Sequence, residues 1–257
     1  MKSETLQIAN RSLDWGTRTY VMGIVNITQD SFSGDGLIAP DAGMPGAGAP
    51  DAGGSDFVKA ALEQARGFMA AGVDILDVGA ESTRPGSQPV SAEQELARIV
   101  PVVQALAKEL DVLISVDTYK AVVAEAALVA GAHIVNDVWG FHADADLAGV
   151  VARHAAPVIL MHNRSSWVNP EVKERLGGRY IGMAYDNLIQ DIQRELLESV
   201  ALAKAAGILD EHIILDPGIG FGKTVEQNLE LLDRLQEIRA LGYPLLLGPS
   251  RKSFIGY

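Results

Sequence analysis

The chain has 257 residues, no cysteine, 48% hydrophobic residues and a formal net charge of −12, with a pI near 4.8. That length suits one large α/β domain and the apolar share is ample for a core, while the missing thiols exclude a disulfide scaffold, cysteine-held metal and thiol catalysis. The acidic balance, with no basic stripe, excludes a nucleic-acid partner. No apolar run approaches the ~18 residues of a membrane span, and residues 1–15 lack the apolar stretch of a secretory signal, so no membrane partner is expected and the expected compartment is cytoplasmic.

Apolar runs of strand length alternate with longer segments of helical period, the pattern of repeated βα units around a parallel sheet. Seven strands are predicted at Thr19–Ile27, Asp74–Val78, Val112–Val116, His133–Val138, Pro157–Met161, His212–Leu215 and Pro244–Leu247. Helices are predicted between them at Ser55–Ala71, Ser91–Leu110, Lys120–Ala130, Asp144–Ala155, Tyr185–Ala206 and Thr224–Leu241. Ser91 with Gln94, and Thr224 with Gln227, have the spacing of capping boxes. In the fifth helix Leu188, Ile192, Leu196 and Val200 mark one apolar face. Gly34 to Gly54, rich in Gly, Ala and Pro, breaks the rhythm and reads as a long loop after strand one, a lid in its first residues and an insertion beyond.

Active sites of β/α barrels are built at the C-terminal ends of the strands, so the polar residues there matter most. Strand one ends in Asn26, strand three at Asp117, strand four at Asn136-Asp137, strand five at Met161-His162-Asn163 and strand six at Asp216. Strand two runs into Glu81-Ser82-Thr83-Arg84-Pro85-Gly86, and strand seven into Ser250-Arg251-Lys252-Ser253. One polar residue at a strand end is usually a loop cap. Seven on one mouth exceed what capping requires. Asp117, Asn136 and Asp216 offer acceptors and an amide suited to a flat heterocycle with several N–H groups. Arg84, Arg251, Lys252 and a glycine-rich backbone offer donors for phosphate or carboxylate.

Some local patterns carry less. Gly218-Ile219-Gly220-Phe221-Gly222-Lys223-Thr224 looks like a phosphate loop, but Pro217 stands where the Walker pattern needs its first glycine. His162 has no second ligand at metal spacing, and His133, His142, His154 and His212 read as structural. Asp77, inside strand two, reads as a buried hydrogen-bonding residue.

Several segments together resemble the dihydropteroate synthase family. Met22 to Ser33 is similar to its first signature and Asp74 to Gly86 to its second. Ser115-Val116-Asp117-Thr118-Tyr119-Lys120, Asn136-Asp137-Val138, Leu215 to Lys223 and Ser250-Arg251-Lys252-Ser253-Phe254 complete the series in order. The resemblance implies one pterin-binding domain over residues 1–257, folded as a parallel (β/α)8 TIM barrel with seven of its strands in this chain. It also implies a transferase of folate biosynthesis that joins 6-hydroxymethyl-7,8-dihydropterin diphosphate to 4-aminobenzoate, releasing diphosphate. By that resemblance Asp117, Asn136, Asp216 and Lys252 hold the pterin with Met161 against its ring, and Asn26 binds Mg²⁺ on the diphosphate. Thr83, Arg84 and Pro85 belong to a second mobile loop, and Phe221 and Ser253 border the aminobenzoate pocket. Lys252, Arg84 and Asp117 are the expected catalytic residues.

Two departures from the family pattern stand out. Gln29 occupies a usual proline position, and the sequence stops at Tyr257, before the family's last two helices and eighth strand. The expectation is therefore a C-terminally incomplete domain with low or no activity, and a homodimer only if the late helices are present. Two other readings remain: a pterin-binding module without turnover, and a methyltetrahydrofolate-dependent methyltransferase.

Overall fold

A computed structural model describes residues 4–28, 54–81, 90–165, 184–249, 252, 254 and 255. A hairpin of β1 (Thr5–Ile8) and β2 (Arg11–Asp14) comes first. Then follow β3 (Met22–Asn26), α1 (Gly54–Ala70), β4 (Ile75–Gly79), α2 (Ala92–Glu109), β5 (Leu113–Asp117), α3 (Ala121–Ala130), β6 (Ile134–Asp137), α4 (Leu147–Arg153) and β7 (Val158–Met161). The described order closes with α5 (Leu188–Ala205), β8 (Ile213–Asp216), α6 (Val225–Asp233) and α7 (Leu235–Arg239). The strands β3 to β8 form one sheet in consecutive order, every neighbouring pair parallel. Each successive strand is reached through a helix, and α1, α2, α3 and α4 pack pairwise in order outside the sheet. The architecture is α/β, of the parallel β/α TIM-barrel class.

Parallel strands covered on both faces read as continuous apolar runs, and β4, β6, β7 and β8 are buried along their whole length. The outward residues of β4 to β8 (Leu76, Val78, Ile114, Val116, Val135, Val158, Leu160, Ile213 and Leu215) pack under the helices with Ile99, Val103, Ile192 and Leu196. Both predicted capping boxes form. The Gln94 N–H reaches Ser91 Oγ at 3.3 Å and the Gln227 N–H reaches Thr224 Oγ1 at 3.2 Å, each glutamine side chain bonding back to its cap backbone.

Three differences from the sequence-based expectation concern the ends of the sheet. Pro244–Leu247 does not run as a seventh ladder strand: it adds one parallel bridge, Leu245 to Leu215, flanked by Leu215 N–H to Pro244 O and Leu246 N–H to Leu215 O, both 2.9 Å. The first sheet strand starts at Met22, not Thr19, because Asp74 accepts the Val21 N–H at 2.8 Å and pairs with Arg18, a loop arrangement. The β1–β2 hairpin is additional. Its strands have four residues each, and its two-residue turn places Ala9 at φ 52° in place of a glycine signal. Leu6, Ile8 and Leu13 of that hairpin pack on Ile75, Leu113, Ile134, Ile159 and Ile214, plugging the N-terminal end of the barrel. The predicted Gly34–Gly54 loop lies outside the described residues, apart from Gly54 at the start of α1.

Candidate active site

Side chains alternate across a strand, so register alone assigns the inward face. Ile75, Leu113, Ile134, Ile159 and Ile214 form its apolar floor above the hairpin. Two residues further along each strand stand Asp77, Ser115, Asn136, Met161 and Asp216, and beyond them Gly79 and Asp117 beside Asn26 of β3. A polar layer thus lies on an apolar floor, open toward the C-terminal mouth. Gly79 is a point of close approach: a Cβ there would stand 3.4 Å from Asp117 Cβ and Oδ2.

The sequence-predicted Asn26, Asp117, Asn136, Met161 and Asp216 therefore share one face. The Asn136 amide Nδ2 donates to Asp77 Oδ2 at 3.0 Å, and both side chains are buried, 8% and 4% exposed. That bond turns the Asn136 carbonyl away from Asp77. Asp77 Oδ1 and Ser115 Oγ are buried on facing strands, and the Ser115 hydroxyl favours the Asp77 carboxylate although the pair lacks good hydrogen-bond geometry.

Lys252 enters from beyond β8. Its Nζ lies 3.9 Å over the Phe221 ring and its stem packs on Gly220, where a Cβ would come within 2.6 Å of Lys252 Cδ. Phe221 and Lys252 are thereby brought together with Asp216. Thr83, Arg84, Pro85 and Ser253 lie outside the described residues.

The loop after β8 is held from three sides. Asp216 Oδ1 accepts the Gly218 N–H at 2.7 Å, and Asn228 Oδ1 accepts the Gly220 N–H at 2.7 Å. Gly218 has φ 70° and its missing Cβ would sit 1.9 Å from His162 O, so only glycine fits there.

The electrostatics follow from burial. Asp216, 6% exposed, is pushed up to about 6 by desolvation, against the pull of the Gly218 N–H, Lys252 and Lys223. Asp117 is raised by desolvation and by the charges of Asp77, Glu95, Asp137 and Glu81. Desolvation also raises Asp77, and it lowers Lys252 to about 8 although Asp216 and Asp117 favour its charged form. The mouth thus presents carboxylates, one amide carbonyl and an ammonium in a half-dry setting. It can read a planar ring bearing both N–H groups and a carbonyl.

Two further groups were not assigned a role from the sequence, and Asp77 takes the role read for it. Lys223, beyond Gly222, is buried and contacts His162, which is bonded to Glu195, itself held by Arg164. Lys120 bonds Glu81, Glu95 (2.5 Å) and Val90 O (2.9 Å), bridging the two sides of segment 82–89. Asp77 orients Asn136, the buried role read for it above. The available signal was an acidic residue on or beside an apolar helix face, as with Glu195 between Ile192 and Leu196.

Among the described residues no group of three or more His, Asp or Glu side chains could hold a metal ion. Mg²⁺ prefers oxygen ligands and commonly binds through one or two protein oxygens plus substrate phosphates. Asn26 fits that mode: its amide stands at the mouth, half-buried, with no hydrogen-bond partner among the described residues.

Comparison with known proteins decides the family. Residues 50–257 match the model of the pterin binding enzymes. A dihydropteroate synthase of Clostridium beijerinckii is 45% identical over 251 residues, covering 98% of this chain and 81% of the relative. The chain belongs to the dihydropteroate synthase family. Members of that family are transferases, and their solved structures superpose on nearly all of this chain. A Clostridium difficile dihydropteroate synthase crystallised with pteroic acid matches with TM-score 0.78 and 43% identity, covering 95% of this chain and 81% of that one. A Xanthomonas albilineans dihydropteroate synthase with 4-aminobenzoic acid matches with TM-score 0.79 and 35% identity, over 99% and 81%. No helix among the described residues of this dihydropteroate synthase family member is long and apolar enough to cross a membrane.

Proposed function

We propose that the barrel mouth binds 6-hydroxymethyl-7,8-dihydropterin diphosphate and joins it to 4-aminobenzoate, giving 7,8-dihydropteroate and diphosphate. The observation that carries this reading is the inward row of Asp117, Asn136 and Asp216, with Lys252 above it. Carboxylate oxygens and the Asn136 carbonyl accept the ring N–H and amino groups, the Lys252 ammonium donates to the ring carbonyl, and Met161 packs on the ring face. Phe221 borders the aminobenzoate pocket, for which Ser253 is the other expected contact, and Thr83 and Pro85 are expected to contribute to substrate binding and Arg84 to catalysis.

The reaction is substitution at an exocyclic CH₂. The C–O bond to the diphosphate breaks with its electron pair, the arylamine nitrogen forms the new C–N bond, and its proton passes to solvent or to the leaving diphosphate. The electron-rich dihydropterin shares the positive charge that develops at CH₂. Asp117 and Asp216, preorganised and half-dry, stabilise that charge more than solvent carboxylates would. Water must be kept out because it competes with a weak arylamine nucleophile. Mg²⁺, held against the diphosphate by Asn26, would neutralise charge on the leaving group.

Calorimetric titration with dihydropterin diphosphate tests the reading. Saturable one-to-one binding that weakens about 10- to 100-fold in Asp117→Ala and Asn136→Ala is expected, each loss being that of one hydrogen bond to a charged or buried group. Unchanged affinity in both variants would remove the pterin from this row. Raising Mg²⁺ should tighten the diphosphate ligand but not the dihydropterin alcohol, and Asn26→Ala should abolish that difference.

A further inference from the structure

Lys223 is 3% exposed and lies just behind Asp216. Its Nζ meets three acceptor positions: Gly218 O at 2.9 Å, Phe221 O at 3.1 Å and His162 Nδ1 at 3.0 Å. The proton count on this group follows from its neighbours. Arg164 binds Glu195 through Nε, 3.1 Å from Oε1 and 3.0 Å from Oε2, and again through Nη2, while Arg194 Nη2 reaches Oε1 at 3.1 Å. Although partial burial pushes the Glu195 carboxyl up, hydrogen bonds from His162 and Arg164 hold it well below the usual carboxylate range. Glu195 is therefore an acceptor only, and His162 Nε2, 3.0 Å from Oε2, must carry the imidazole proton.

His162 is neutral, lowered to about 4 by burial and by the charge of Lys223. With the proton on Nε2, its Nδ1 has only a lone pair to offer. Two backbone carbonyls and that lone pair then face Nζ, and only an ammonium, with three N–H bonds, satisfies all three. The charge is consequential because Lys223 acts on Asp216 in two ways. It holds Gly218 O, and the Gly218 N–H is bonded to Asp216 Oδ1. It also lies close enough for its charge to favour the Asp216 carboxylate.

We propose that Lys223 is a positioning residue for the pterin site: its ammonium ties loop 217–223 to the end of β7, holds the Gly218 peptide against Asp216 and adds to the charge that favours the Asp216 carboxylate, while His162 and Glu195 hold that ammonium in place. The proposal rests on the reading of Asp216 as a pterin acceptor. Other charged groups face the pair. Lys252 acts on both Asp216 and Lys223, and Glu195 and Arg164 act on Lys223 from the α5 side. Burial lowers Lys223 to about 7, against the favourable charge of Asp216, so it remains cationic across the range near 6 where Asp216 titrates.

The test uses the full chain with ¹³C-carboxyl-labelled aspartate, following Asp216 by NMR as a function of pH without ligand and assigning it through Asp216→Asn. Lys223→Gln keeps N–H donors for the two carbonyls but removes the charge. The expected result is an Asp216 midpoint raised above its wild-type value, with the acid-side loss of dihydropterin affinity moved up equally. In Lys223→Met both the charge and the ties are lost, so affinity falls at every pH as well. The reciprocal measurement needs no change at Lys223: in Asp216→Asn the ¹⁵Nζ midpoint of Lys223 should fall by a similar amount, because coupled titrations are mutual. An Asp216 midpoint unmoved in Lys223→Gln, or a Lys223 midpoint unmoved in Asp216→Asn, overturns the assignment whatever the protein binds. Failure of the wild-type chain to bind dihydropterin, with both midpoints shifting, instead overturns the reading of the site.

Discussion

Asp216→Asn should make the unliganded protein more stable while impairing it as a pterin binder. Asp216 is buried at the end of β8, and its titration is displaced from 3.8 to about 6. Two units at 1.36 kcal/mol each amount to about 3 kcal/mol of native-state penalty for ionising this carboxyl, a figure that already includes the pull of Lys223 and Lys252. The folded pKa is raised, so the native state holds the proton more tightly than the unfolded chain does. The stabilising contribution is fully present below about pH 4 and is lost as pH rises through about 6. Asparagine cannot ionise, and its carbonyl can still accept the Gly218 N–H that Asp216 holds at 2.7 Å. Urea denaturation at several pH values is the assay. The variant should gain about 2–3 kcal/mol over wild type at pH 7.5 and nothing near pH 4, while its dihydropterin affinity falls 10-fold or more. A variant less stable than wild type at pH 7.5 would refute the reasoning, because it would mean that the carboxylate is held by more than the Gly218 N–H and the two lysines.

Other perturbations probe other parts of the account. Asn136→Leu removes the donor to Asp77 Oδ2, leaving this buried carboxyl only the Ser115 hydroxyl; a loss of about 1–3 kcal/mol is expected, largely recovered in Asn136→Leu with Asp77→Leu, and a double-mutant cycle by denaturation measures it. Lys120→Met leaves Glu81 and the buried Glu95 without their shared cation. Thermal unfolding should show a loss of about 3–5 kcal/mol at pH 8, shrinking toward acid pH because burial raises Glu95 and favours its neutral form. Leu13→Ala in the N-terminal plug should cost about 2–5 kcal/mol and leave dihydropterin affinity unchanged, since Leu13 packs on the floor residues at the end of the barrel opposite the mouth.

Much of the site could be read from the chain because two periodicities coincide. The strand runs fix where each strand ends, and alternation within them puts Asp117, Asn136, Met161 and Asp216 on one side. Elements built from partners distant in sequence were not legible in the same way. His162 and Glu195 are 33 residues apart, and Lys223 lies 61 from His162, so no local pattern announces their contact. Lys223 instead sat inside a glycine-rich run that imitates a phosphate loop, which hid its role behind Asp216. The β1–β2 hairpin escaped for a different reason: four-residue strands carry too few alternations, and Ala9 adopts a left-handed turn without a residue that signals it. The last run, Pro244–Leu247, has strand composition but only one bridge, because an apolar sequence becomes a ladder only where its neighbours supply the pairing.

The row of Asp117, Asn136 and Asp216 under Lys252 leads to dihydropteroate formation at the barrel mouth. The most direct measurement incubates the chain with Mg²⁺, 6-hydroxymethyl-7,8-dihydropterin diphosphate and 4-aminobenzoate, and quantifies 7,8-dihydropteroate and diphosphate together. Equal amounts of the two products, both lost in Asp117→Ala, are predicted. A folded wild-type chain that binds neither substrate and releases no diphosphate would contradict the claim.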